Sequence, residues 1–174
     1  MFWLEYGDPH MLLDSYLEWL QATAIATLIR ENEVIFPWIE AAHVLAIASV
    51  VGTICIVDLR LLGIASLDRA ATRVMRDMLP YTWGAFAMAA STGALLFSSN
   101  ALTYAHNFYF AGKFALLAAV GLNMAAFHLV GLRGVERWDA TGLTPLRAKT
   151  AGGLSIALWM CLVAFGRWVG FTLH

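Results

Sequence analysis

Long apolar runs alternate with short charged stretches along this chain, and they predict its architecture. Four runs each approach the roughly 20 residues that a helix needs to cross a hydrocarbon layer about 30 Å thick. A helix satisfies its backbone hydrogen bonds internally, as a segment in lipid must. We therefore predict four transmembrane helices at about residues 35–57, 78–97, 108–132 and 151–173. Pro37 and Pro80 fall near the starts of the first two, where the missing N–H costs little.

Residues 1–33 have a different pattern, acidic with a single arginine. Apolar side chains recur there at three- and four-residue steps, which is typical of an amphipathic helix: Leu13, Tyr16, Leu17, Leu20, Ala24 and Leu28. We expect this helix to lie on the membrane or on the bundle. Its acidity favours packing on protein over binding to anionic lipid.

Composition places the whole chain in lipid. Hydrophobic residues make up 60% and charged residues 13%, against about 45–50% and about 25% in soluble domains. The prediction is an all-α membrane protein, one domain over residues 1–174, with the lipid bilayer as its surroundings. A net charge of −1 leaves no basic stripe for nucleic acid.

Basic residues set the predicted orientation. Eight of the 11 lie in the segments that follow the first and third helices. The loop between the second and third helices, residues 98–107, has no charge. Because cytoplasmic loops carry an excess of Lys and Arg, both basic segments are placed in the cytoplasm and both termini outside.

Ionisable residues inside the spans are costly and are therefore candidates for function. His43 lies six residues after Pro37, and Lys113 lies six residues after Asn107, so both fall about 9 Å inside the outer face. Arg167 on the returning fourth helix shares this depth, and Glu40 lies about one turn above it. The spacing predicts an outer polar level of these four residues.

The same spacing predicts an inner level. Asp58 follows His43 by 15 residues, and His128 follows Lys113 by 15. That separation is about 60° of rotation and about 22 Å of rise, so each pair stays near one face. Asp58 and His128 are therefore expected to meet near the inner boundary. His106, just before the third helix, belongs to the outer surface.

Two polar levels about 20 Å apart in a four-helix bundle suggest a b-type cytochrome. Neutral imidazoles of His43 and His128 would ligate haem iron. Lys113 and Arg167 would bind its propionates. Each level supplies one histidine. The second outer ligand is His106 if its helix end dips inward; otherwise the iron is five-coordinate or takes a ligand from another subunit.

A purely structural alternative uses the same residues. Glu40 would pair with Lys113 or Arg167, and Asp58 with His128 or Arg60, to fix helix register. Asn123 adds a neutral hydrogen-bonding group. Small residues along the second helix suit close packing and favour a homo-oligomer. The absence of a nucleophile–base pair makes an enzyme acting alone the least favoured class.

The chain resembles an uncharacterised family of bacterial inner-membrane proteins over nearly its whole length. The resemblance rests on Phe36-Pro37, Ile39-Glu40-Ala41-Ala42-His43-Val44-Leu45, Val57-Asp58-Leu59-Arg60-Leu61-Leu62-Gly63, Asn107, Phe110, Lys113, Asn123, His128 and Gly166-Arg167. Where that family has proline after the asparagine, this chain has Phe108. The family is similar to copper-resistance D membrane proteins and, more distantly, to two-haem b561-type cytochromes.

The resemblance implies a bacterial inner-membrane location with both termini in the periplasm, and it singles out His43 and His128. Three hypotheses follow. The first is a haem-b protein that transfers electrons to or from a quinone or a redox protein. The second is a copper-handling or transport protein, in which His43, Met88 or Cys55 would offer a soft metal site. The third is a structural or assembly subunit without chemistry of its own.

Overall fold

The computed structural model describes residues 9–141 and 143–172, and these form helices and connecting turns without a strand. Residues 1–8, which belong to the predicted N-terminal helix, lie outside the described residues, as do residue 142 and residues 173–174. The helices are α1 Pro9–Gln21, α2 Ala24–Glu31, α3 Ile35–Leu62, α4 Ala71–Ser99, α5 Ala101–Ala105, α6 Phe108–Ala126, α7 Val135–Thr141 and α8 Leu146–Thr172, with a π-helical turn Phe127–Gly131 continuing α6.

Three of the described helices are long and apolar enough to cross a membrane, which makes this a membrane protein: α3, α6 with its π-helical turn, and α8. Helix α4 is longer still, at 29 residues, but it does not reach the same apolar character. It begins at Ala71, earlier than predicted, so Pro80 lies inside the helix. Charged Arg73, Arg76 and Asp77 therefore lie in its first two turns, and small and hydroxyl-bearing residues fill much of the remainder.

The long helices pack in the order α4–α3–α8–α6. Trp159 of α8 is 6% exposed and lies between Val50 of α3, Ala85 of α4 and Leu117 of α6. Between α3 and α4, Thr82 donates a hydrogen bond to Thr53 at 2.8 Å. Between α6 and α8, the amide of Asn123 donates to the Ala151 carbonyl at 3.0 Å. Apolar packing at the centre is thus supplemented by single polar ties.

The amphipathic segment forms two helices instead of one. Thr23 interrupts it: its hydroxyl accepts from the Ala26 N–H and caps α2. Leu17 and Ile29 are buried against the bundle, whereas Leu13 and Leu28 of the predicted stripe are exposed. The break changes the register between α1 and α2, so that one continuous 3.6-residue pattern misplaces Leu28 of α2.

Arg30 ties these N-terminal helices to the end of α4. Its guanidinium donates to the Gln21 carbonyl at 3.1 Å and to the Ser99 carbonyl at 3.0 Å. The last carbonyls of a helix have no partner within it and carry partial negative charge. A cation at this position therefore satisfies the end of α4 while holding α2 against it.

At the opposite end of the bundle, Arg60 and Asp139 join three connecting segments. Arg60 is 2% exposed; it donates to the Arg69 carbonyl at 2.6 Å and lies 3.9 Å from Asp139. The Asp139 carboxylate accepts from the backbone N–H groups of Ala71 and Thr72 at 2.6 and 3.1 Å, and from the Thr72 hydroxyl. It therefore caps α4 from α7. Arg60 was one of the two partners predicted for Asp58, with His128 as the other; its partner is instead Asp139, because Arg60 turns toward the loop and not along α3.

We expect Asp139→Ala to lower the stability of the protein by about 1–3 kcal/mol, since it removes a helix cap and leaves Arg60 without its carboxylate. Burial opposes ionisation of Asp139, but hydrogen bonds from Thr72 and Ala71 and the charge of Arg60 together hold its pKa below the usual range. Its contribution is therefore complete above pH of about 4 and is lost as the pH falls through the folded-state value.

Thermal unfolding midpoints measured across this pH range test the expectation. Asp77→Asn, at an exposed position on α4, is the matched control. Equal midpoints for Asp139→Ala and wild type would contradict the assigned role.

Candidate functional site

His43 of α3 lies against α4 at the outer level. Its Nδ1 is 3.0 Å from the Thr92 hydroxyl oxygen. That hydroxyl donates its own proton to the Met88 carbonyl at 2.7 Å, so Nδ1 must be the donor in the first bond. The neutral imidazole then keeps its lone pair on Nε2. The ring also forms a hydrogen bond with the Ala89 backbone, and a histidine whose Nδ1–H is held by such bonds is oriented as metal-ligating histidines are.

Gly93 makes room for this imidazole. A Cβ on Gly93 would lie 3.0 Å from Cε1 of His43, closer than ordinary van der Waals contact. Gly166 of α8 stands in the same relation to Lys113, whose Nζ would lie 3.8 Å from a Cβ there. Both polar side chains of this level thus lie against helix backbone that carries no side chain.

Lys113 of α6 is the second member of the site. Its ammonium is within electrostatic range of His43, and no ion pair joins it to a carboxylate in the described chain. The predicted four-residue level is therefore reduced to two. Arg167 is exposed and lies over the Phe171 ring, 4.7 Å from its centroid. Glu40 is also exposed, and it lies near Tyr104.

Aromatic rings close the outer end of this level. Phe97 of α4 stacks on Phe110 of α6, with centroids 5.3 Å apart and planes 7° from parallel. Tyr104 contacts both rings. Burial, together with the Glu40 carboxylate, raises the pKa of Tyr104, so this phenol stays protonated. The rings bridge α4 and α6, which otherwise pack on other helices.

His106 does not join His43. Its Nε2 lies 3.4 Å from the Asp14 carboxylate and its Nδ1 lies 3.0 Å from the Leu102 carbonyl, with 62% of the side chain exposed. Asn107, the next residue, caps the start of α6 through the Tyr109 and Phe110 N–H groups. His106 thus ties α1 to α5.

The two residues of the predicted inner level lie apart. Asp58 is 5% exposed and lies between α3 and α8, where its carboxyl accepts a hydrogen bond from Ser155. His128 is exposed, with Nδ1 2.9 Å from the Met124 carbonyl. It lies in the π-helical turn. A π-helical turn has more residues per turn than an α-helix, so the 3.6-residue spacing does not predict the direction of this side chain.

Among the described residues, neither a cluster of metal ligands nor a surface groove includes His43 or Lys113. Within residues 9–141 and 143–172 no three His, Cys, Asp or Glu side chains come together as metal ligands would. Two shallow grooves lie at the outer ends of α2 and α3, one along Ala24–Asn32 and one along Glu33–Ala41. Neither is lined by His43 or Lys113.

Sequence reasoning missed the residues that position the site. Thr92 and Gly93 read as ordinary members of a small-residue helix, and Trp159 as one apolar residue among many. The spacing could have indicated the first two, because Ala85, Ala89 and Gly93 recur every four residues on the face that meets α3. Asp139 carries no such signal, since its partners are 67 and 68 residues away.

The fold and this site define a helical membrane protein with a histidine–lysine pair between its outer helix ends. Residues 16–172 match the model of a family of unknown function, DUF6644, and the chain belongs to that family. No curated protein and no solved structure matches the chain. The comparisons thus confirm the uncharacterised family and give no support to similarity with copper-resistance D proteins or b561-type cytochromes.

We expect Gly93→Ala to have a lower thermal unfolding midpoint than Gly84→Ala, because its methyl group meets the His43 imidazole. Alanine in place of a helical glycine ordinarily gains about 0.5–1 kcal/mol, and Gly84→Ala on the same helix should show that gain because nothing lies within 4 Å of its Cβ. At Gly93 the new methyl displaces the imidazole, offsetting the gain. A thermal midpoint for Gly93→Ala at or above that of Gly84→Ala would refute the contact.

Proposed function

We propose that this protein binds haem b at the outer level and transfers electrons within the membrane. The observation that carries the proposal is the orientation of the His43 imidazole, which Thr92 holds through Nδ1 so that the lone pair lies on Nε2. This is the ligand geometry that haem iron takes from histidine. Haem supplies a one-electron couple when bound.

The outer residues fit such a group in charge as well as in donor type. Lys113 is a cation without a carboxylate partner in the described chain, and a propionate would neutralise it by a charge-assisted hydrogen bond. Arg167, exposed beside Phe171, lies at the same end. The inner donor set does not fit, because a buried carboxyl and an outward-facing imidazole offer no axial pair. The proposal is therefore one haem per chain, at the outer level.

Optical spectra of purified protein from haem-replete cells test this function. We expect a Soret band in the wild type, its loss in His43→Ala, and its retention in His128→Ala, the matched exposed control. Lys113→Ala should keep haem but bind it more weakly. A wild-type protein without a Soret band ends the proposal, and halved absorbance in His128→Ala would restore the two-haem arrangement.

Copper handling is the alternative among metal functions, and a structural role is the alternative without chemistry. The structural role is favoured by one observation: the His43–Thr92 bond already joins α3 to α4. Metal analysis of the same samples separates these cases. Copper that is lost in His43→Ala supports the first, and protein free of haem and copper supports the second.

The proposed setting is a bacterial inner membrane that α4 also crosses, with both termini in the periplasm. Helix α4 runs antiparallel to α3, and its contacts extend from Thr82–Thr53 to Thr92–His43. At 29 residues it is about 43 Å long, enough to span. Both basic segments then lie on the inner side.

Cysteine labelling tests this topology in a Cys55→Ser, Cys161→Ser background. We expect Thr103→Cys, after α4, to react with an impermeant reagent in intact cells. Asp68→Cys, before α4, should react only after permeabilisation. Both positions are exposed. Labelling of both from the same side would show that α4 does not cross.

Partners complete the proposal. A quinone or a redox protein would exchange electrons with the haem. A homo-oligomer is proposed because Gly84, Ala87, Ala90 and Ala94 of α4 face outward, and small residues let helices approach closely in lipid.

A further inference from the structure

Asp58 is the most deeply buried carboxyl group in a described membrane-spanning helix. Its residue is 5% exposed, and its Oδ2 is buried without a hydrogen-bond partner. It lies four residues before the end of α3 at Leu62. Helix α8 covers it closely, since a Cβ on Gly152 would lie 3.2 Å from the Asp58 carbonyl oxygen.

No cation of the described chain compensates this carboxyl. Arg60 on the same helix is occupied by the Arg69 carbonyl, Thr144 and Asp139. Lys149 of α8 approaches Gly63 instead, with Nζ 4.0 Å from the position of a Cβ there. His128 of the π-helical turn is exposed.

The groups that face Asp58 are therefore neutral or weakly acidic. Ser155 of α8 donates the hydrogen bond to the carboxyl, and Cys55 lies one turn earlier on α3. A carboxylate anion excluded from water without a cation is strongly disfavoured. Ionisable groups in such positions are typical of proton pathways.

We propose that Asp58 is an intramembrane proton-binding site that exchanges with the inner aqueous phase. The proton forms an O–H bond at Oδ2, converting the carboxylate to the neutral acid, and the other carboxyl lone pairs remain available to Ser155. Hydronium of the inner aqueous phase supplies this proton, so that one of its O–H bonds breaks and a water molecule is left. The route to water is short, because one helical turn separates Asp58 from the end of α3. The site is independent of the haem proposal, from which it is separated by about 22 Å along α3.

Infrared spectroscopy of the full-length protein in lipid nanodiscs tests the proposal. We expect the wild type at neutral pH to show the carbonyl stretch of a protonated carboxylic acid. The band should shift when aspartate is labelled with ¹³C, disappear as the pH is raised, and be absent in Asp58→Asn. Asp77→Asn, at an exposed position on α4, is the matched control and should keep it.

Ser155→Ala keeps the test decisive if Asp58→Asn does not fold, because loss of the Ser155 hydrogen bond should shift the band frequency. A wild-type spectrum at neutral pH without a ¹³C-aspartate-sensitive band overturns the proposal. So does a band that survives in Asp58→Asn, or that neither moves in Ser155→Ala nor disappears on raising the pH. None of these outcomes depends on whether haem is bound.

Discussion

The close approach of α3 to its two neighbours is the constraint on which the rest of the structure depends. At the outer end α4 presents Gly93 to the His43 ring, and at the inner end α8 presents Gly152 to the backbone of Asp58. A methyl group at either glycine would lie closer than ordinary van der Waals contact, 3.0 Å from the His43 ring at Gly93 and 3.2 Å from the Asp58 carbonyl oxygen at Gly152. His43 is thereby packed against α4, and Asp58 is buried against α8. The positions of Gly93 and Gly152, where the neighbouring helices present no side chain, thus determine where the polar side chains of α3 can pack.

The buried polar groups fall into two classes. Arg60 and Asp139 satisfy each other and the start of α4, as a stable buried pair requires. Lys113 and Asp58 have no partner of opposite charge within the described chain, although both lie in spanning helices. Satisfied groups explain how the connecting segments are held together. At the uncompensated groups, Lys113 and Asp58, a bound ligand or a proton would neutralise the charge.

Much of the fold was predictable because its signal is local. Apolar runs of membrane length predict α3, α6 and α8, and Asn107 indicates the start of α6 from its capping chemistry alone. The division of the amphipathic segment at Thr23 and the early start of α4 were not predicted. Both depend on hydrogen bonds, from the Thr23 cap and from Asp139, which the spacing of apolar residues does not reveal.

The site was predictable only in part, since depth along a helix is easier to infer than direction around it. Lys113 and His43 share a level and a neighbourhood as their spacing predicts. Arg167 and Glu40 are exposed, and His128 lies in a π-helical turn that ends the regular register. Rotation about a helix axis depends on what each neighbour presents, and this requires the packing order.

That packing order also bears on how the protein is made. Helices α3 and α4 form one antiparallel hairpin, α6 and α8 form a second, and the α3–α8 contact joins them. A ribosome would release the first hairpin entire before the second emerges. If each hairpin enters the bilayer as a unit, the contact between α3 and α8, which includes Trp159, is the last interface to form during biogenesis.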